Sequence, residues 1–294
     1  KGLSLKTWYL SLVMFINRSG TMVIPFMSMY CTVKLGFSIS QAGNIMALFG
    51  IGAIAGAFIG GRITDTIGFY PLQITSLVLG GIMFIVLGYM ETYSGLCIGT
   101  FILSVCNESF RPANSTAIAF YSLPENRTRS YALNRLAINA GWAFGGALGG
   151  FIASRNYQLL FWTDGITNIA AAVLLMILLP YVKSGSRHSE KKQAPPLRSP
   201  YKDTPYILFL ILTIIFAACF FMQFTMQSLF YKKEWHYSEQ FVGFILAMNG
   251  IIITLVEMAL VYKLDGRFRH TGLIASGILL VGIGFIIVNI FPEA

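Results

Sequence analysis

Four charged side chains interrupt long apolar stretches of this sequence: Arg18, Glu108, Arg111 and Glu257. Glu108 and Arg111 are three positions apart, so on one helix they share a face and can pair. A carboxylate beside a guanidinium in apolar surroundings can bind and release a proton as those surroundings change. Glu108 is therefore the first candidate for proton coupling, with Arg111 or Arg18 as the cation that keeps it ionised. Glu257 is the second. Asn17 and Asn139 stand in similar stretches, able to face a solute or to bond a neighbouring helix. Two positive and two negative charges give the approximate neutrality that a closed polar interior requires. Asp164 is a further carboxylate, expected at a helix end within reach of water.

The elements that must hold these groups are helices through a bilayer. Of the 294 residues, 55% are hydrophobic and only 11% charged, against about 25% charged in soluble domains. Nine apolar runs read as spans: 8–30, 41–63, 71–90, 95–120, 133–154, 159–180, 206–230, 240–262 and 272–291. Arg18 lies near the midplane of the first, where a charge costs about 2.5–3.5 kcal/mol to insert. That run contains Arg18 and Pro25 and lacks a small-residue cleavage site, which argues against a removable signal. With the N-terminus inside, the inner loops hold 15 of the 21 Lys and Arg. This bias sets the expected orientation in a plasma or inner membrane, N-terminus cytoplasmic. It also explains the net charge of +9 without nucleic acid. The four cysteines lack metal spacing and read as small apolar residues; a disulfide between Cys31 and Cys97 stays open.

The chain repeats itself at an offset of 200. Ser38, Gly43, Ile45, Ala47, Gly50, Ile51, Asp65, Ile74, Ser76 and Leu79 recur as Ser238, Gly243, Ile245, Ala247, Gly250, Ile251, Asp265, Ile274, Ser276 and Leu279. Parallel copies of a membrane bundle are one way in which secondary transporters are built. Six spans, residues 1–182, precede a basic, proline-rich linker at 183–205, and three follow in 206–294. A second copy of equal length would need three more spans, so the natural protein is expected to continue.

Two motifs narrow the class. The segment Gly61-Arg62-Ile63-Thr64-Asp65-Thr66-Ile67-Gly68 resembles the loop signature of the major facilitator superfamily, G-x-L-a-D-r-x-G-r, through Gly61, Asp65 and Gly68; Thr66 and Phe69 stand where the signature has basic residues. Asp265 marks its degenerate second copy. The resemblance implies that Asp65 helps lock one conformation and does not touch solute. In the fifth span, Gly141, Gly145, Gly149 and Gly150 are similar to the glycine-rich motif of proton/drug antiporters, with Gly146 replacing its proline. Small residues at i, i+4 and i+8 give a flat face for a neighbouring helix. Phe110-Arg111-Pro112 and Ile138-Asn139-Ala140-Gly141 resemble instead signatures of proton-coupled oligopeptide transporters, although Asn17-Arg18 keeps only the arginine of that family's first-span motif.

The expected fold is thus an all-α membrane bundle of the major facilitator type, two pseudo-symmetric six-helix halves, with nine spans present. The expected function is proton-driven movement of a small organic solute by alternating access, with efflux of drug-like compounds favoured and peptide uptake as the alternative. Aromatics such as Phe26, Tyr30, Trp142, Phe144, Phe224 and Phe230 could border the cavity. There is no phosphate-cradling GxxxxGK[ST] loop, and His188, His236 and His270 fall in loops without catalytic partners. The chain therefore reads as no enzyme, with no cofactor or metal. Its expected partners are solute, protons and lipid, and it is expected to act as a monomer.

Overall fold

A computed structural model describes residues 3–182, 203–264 and 270–290; within these helices the side chains of 223–225, 257–259, 261–264, 270 and 289 are outside the description. The described residues are helical, joined by short turns. The first span is α1 (Leu5–Ser19), α2 (Val23–Met29) and a π-helical turn, Tyr30–Lys34. The second and third are α3 (Ile39–Ile67) and α4 (Phe69–Leu87). The fourth is split into α5 (Tyr93–Glu108) and α6 (Phe110–Tyr121). Then come α7 (Arg127–Ala153), α8 (Tyr157–Leu178), the split pair α9 (Thr204–Thr225) and α10 (Gln227–Lys233), α11 (Glu239–Leu264) and α12 (His270–Ile290).

Eight of the resulting helical runs are long and apolar enough to cross a membrane. The expected ninth is the fourth span, whose two halves each fall short because the helix breaks at Ser109. The breaks in the first and fourth spans have the same cause. Proline has no N–H and its ring meets the carbonyl four residues back. Pro25 sets that position at Thr21, and Pro112 sets it at Glu108. Other helix ends are fixed by side chains. Ser38 and Gln41 form a reciprocal capping box at the start of α3, and Thr92 and Asn156 cap α5 and α8. Asp203 caps α9 at Tyr206, so the expected linker ends earlier than residue 205; its remainder, 183–202, lies outside the described residues.

Packing forms two buried clusters, the first of which also takes in Leu229, Tyr231 and Val242 of α10 and α11. One gathers Phe26, Met29, Tyr30, Ile45, Leu103 and Phe161, and the other Leu10, Phe69, Leu77, Phe110, Ala171 and Leu175. Tyr30 and Phe26 therefore pack in the core rather than bordering a cavity. Phe230 joins Tyr231, Trp235 and Tyr237 in an aromatic cluster where α10 meets α11. Phe144 is exposed, and the side chain of Phe224 lies outside the description. All four cysteines are free thiols.

Candidate functional site

The proline break in the fourth span puts Glu108 on the last turn of α5 and Arg111 on the first turn of α6. The i, i+3 spacing survives the break: Arg111 Nη1 donates to Glu108 Oε2 at 3.3 Å. The pair is lopsided. Glu108 is buried, at 8% exposure, whereas the Arg111 side chain is 68% exposed. Arg18 on α1 lies within electrostatic reach of both, attracted by Glu108 and repelled by Arg111. Arg18 is itself buried, at 8% exposure, and its Nε has no hydrogen-bond partner among the described residues. The sequence offered Arg18 or Arg111 as the cation for Glu108; the structure gives the direct contact to Arg111.

Glycines hold these helices together. A Cβ on Gly141 would stand 2.7 Å from Arg18 Cβ and 2.9 Å from the Phe15 carbonyl. One on Gly145 would meet the Ser19 carbonyl, and one on Gly149 would meet Met22 and Phe26. The expected flat face is therefore the seat of the first span, and Gly141 sets how near Arg18 stands to α7. A second face went unread in the sequence. Gly146 meets Leu246 and Ala247, Gly150 meets Gly243, and Ala143 meets Gly250. The glycine that replaces the motif's proline thus seats α11. A third small-residue stripe, Gly52, Gly56 and Gly60 on α3, carries α5 and the break: Gly60 abuts Ser109, whose Oγ donates to the Gly56 carbonyl at 3.0 Å.

Other site residues fall elsewhere. Asn17 donates to Asn168 Oδ1 at 2.8 Å and is buried between α1 and α8, which makes it an interhelical bond rather than a solute contact. Asn139 is half-buried on α7. A Cβ on Gly61 would meet nothing within 4 Å among the described residues; the close approach to Ser109 is made by its neighbour Gly60. Gly68 has φ +93° between α3 and α4, a turn that glycine adopts without strain. Asp65 is exposed and has no hydrogen bond or ion pair among the described residues. Asp265 and the Glu257 side chain lie outside the described residues. Asp164, expected in reach of water, is 0% exposed on the second turn of α8.

Polar bonds join α10 and α11 to the first six spans at the end of the bundle where α7 stops and α8 starts. Glu239, at the start of α11, receives the Tyr157 hydroxyl at 3.2 Å and Lys232 Nζ at 3.0 Å. Gln240 donates to Ser154 Oγ at 3.2 Å. These bonds tie α10 and α11 to the ends of α7 and α8.

Comparison with known proteins decides the class of this bundle. The family model for the Major Facilitator Superfamily matches residues 9–293. The chain belongs to that superfamily. It is a multi-span membrane protein of a family of transporters, not enzymes. It is 22% identical to the Quinolone resistance protein NorA of Staphylococcus aureus (strain MSSA476) over 258 residues, covering 88% of this chain and 66% of that protein. It is also 20% identical over 295 residues to the Uncharacterized MFS-type transporter YceJ of Bacillus subtilis (strain 168), covering 98% of this chain and 74% of that protein. The chain thus spans just under two thirds of the length of NorA. Among solved structures, a proton dependent oligopeptide transporter superposes with a TM-score of 0.71 at 16% identity, covering 87% of this chain and 70% of that one. A bacterial homologue of the human peptide transporters PepT1 and PepT2 gives 0.73 at 12% identity, with the same coverage. At these identities the structures establish the shared fold.

Proposed function

We propose that this major facilitator chain works as a proton-coupled secondary transporter that exports small, drug-like organic solutes by alternating access. The supporting observation is the Glu108–Arg111 pair at the break of the fourth span: a buried carboxylate held by an exposed guanidinium at 3.3 Å. Proton binding to Glu108 neutralises it and removes the attraction to Arg111. The Pro112 break, which leaves the Glu108 carbonyl without an N–H partner four residues on, lets the two half-helices respond. Arg18, drawn to the same carboxylate, couples that change to the first span. The two copies of the repeat act as rocking halves, 1–182 and 206 onward, in a plasma membrane with the N-terminus cytoplasmic and the protein monomeric. Export of drug-like compounds is favoured by the relative named for quinolone resistance.

The test is transport in proteoliposomes with and without an imposed pH step, comparing the unsubstituted protein with Glu108→Gln. The substituted protein should still bind solute and lose its dependence on the gradient. Gradient-driven transport of unchanged size in Glu108→Gln would defeat the reading. A thermal-shift comparison of cationic drugs with dipeptides separates export of drugs from peptide uptake, because a ligand specific to the folded state raises its stability.

A further inference from the structure

The first span is broken between Ser19 and Val23, and three side chains of α8 hold the break. Asp164 accepts from the Met22 amide through both oxygens, at 3.0 and 2.9 Å, and from the Val23 amide at 2.7 Å. Thr167 closes over Gly20, where a Cβ would overlap its hydroxyl. Asn168 donates to the Asp164 carbonyl at 2.8 Å and receives the Asn17 side-chain amide at 2.8 Å. Positions 164, 167 and 168 share one face of a helix. A single face of α8 therefore grips the break from both sides, Asn17 before it and Met22 and Val23 after it.

Pro25 explains why a bend arises but not why it persists. The first amides of a new helix have no partner within it, and a bilayer supplies no water to satisfy them. A Ser, Thr, Asp or Asn at the cap would do so locally. Here the cap position is Met22, and α2 has no cap from its own neighbourhood. The acceptor comes instead from a residue 142 positions away, and a carboxylate suits it because a helix N-terminus carries partial positive charge. Among the described residues Asp164 is the most buried charged side chain, and it is in no ion pair there. Among the described residues, the Met22 and Val23 amides supply the hydrogen bonds that its carboxylate accepts.

We infer that Asp164 is a positioning residue: its carboxylate pins the bend of the first span, and the bend determines where α1 carries Asn17 and Arg18. The consequence for solute rests on the reading of Arg18 as part of the transport site; the pin itself does not, and it is tested without solute.

The measurement is the distance distribution between spin labels on Leu5→Cys and Val33→Cys, exposed positions near the two ends of the first span. Their separation of about 40 Å at 1.5 Å per residue suits pulsed electron resonance. The full chain, with Cys31, Cys97, Cys106 and Cys219 replaced by Ala, is placed in lipid nanodiscs. A second labelled pair, Ile54→Cys and Ile98→Cys on α3 and α5, reports general loosening. In Asp164→Ala the Leu5/Val33 distribution should broaden and shift to longer distances as the span straightens, while the Ile54/Ile98 pair stays unchanged. Asp164→Asn keeps the shape and one acceptor oxygen, and should broaden the first pair less. If the Ala variant does not fold, the Asn variant decides by the same criteria. An unchanged Leu5/Val33 distribution in a folded variant overturns the inference, and so does equal broadening of both pairs.

Discussion

Gly150 and Gly243 meet backbone to backbone: a Cβ built on either would come within 2.6 Å of the other's Cα. Backbone cannot yield as a flexible side chain can, so Gly243→Ala should force α7 and α11 apart. Overpacking of this kind costs about 1–3 kcal/mol. The repeat supplies an internal control. Gly43, the counterpart of Gly243 at the 200-residue offset, has nothing among the described residues within 4 Å of the same built atom. Gly43→Ala should leave the melting temperature unchanged or raised, since alanine favours a helix interior over glycine by roughly 0.5–1 kcal/mol. Thermal unfolding in detergent separates the two; equal loss in both variants would contradict the interface.

The same pair shows how far the sequence could be read. The spans were legible because apolar runs of about 20 residues have few alternatives. Glu108 and Arg111 were legible because the i, i+3 pairing is local, and it survives the break between α5 and α6. Register between helices was not legible. The signature glycine is Gly61, yet its neighbour Gly60 makes the contact, because one residue on a helix is a turn of 100° and pattern alone does not say which side has a neighbour. Asp164 was misread for a related reason. A carboxylate near a helix start belongs in water unless donors come from elsewhere, and Met22 and Val23 lie 141 and more positions away. Their amides lie in the break between α1 and α2, just ahead of Pro25, so the signal was split between two distant places.

The exposure of Arg111 predicts a separation between stability and activity. Glu108 is buried, but the Arg111 side chain is 68% exposed, so solvent screens the pair and its contribution stays near the surface value of about 1 kcal/mol. Arg111→Ala should therefore shift the melting temperature little while reducing gradient-driven transport in proteoliposomes. A large drop in melting temperature with transport intact would make the pair a brace.

Tyr157, Glu239 and Lys232 form a single polar cluster at the end of the bundle away from the N-terminus, so their substitutions should not add. Tyr157→Phe removes the hydroxyl that reaches Glu239 and should cost about 0.5–1.5 kcal/mol. Glu239→Gln weakens both bonds at once. A double-mutant cycle read by thermal unfolding should give a combined loss clearly smaller than the sum of the single losses. Additive losses would mean that Tyr157 is held by packing, including its ring contact with Tyr30 at 5.9 Å, rather than by Glu239.

Gly20 gives the most local prediction about the broken first span. A Cβ there would overlap the Thr167 hydroxyl and stand 2.7 Å from Thr167 Cβ. Thr167 cannot readily turn away, because its hydroxyl is anchored to the Thr163 and Asp164 carbonyls at 2.8 and 3.1 Å. Gly20→Ala should therefore destabilise the protein by about 1–3 kcal/mol, the usual cost of overpacking. Thr167→Ala removes the overlapping oxygen but leaves the nearby Cβ. Combined with Gly20→Ala it should recover part of the loss, so the double variant melts above Gly20→Ala alone. A double variant that melts lower than either single one would show that Thr167 supports the break by its own hydrogen bonds and not by filling the space over Gly20.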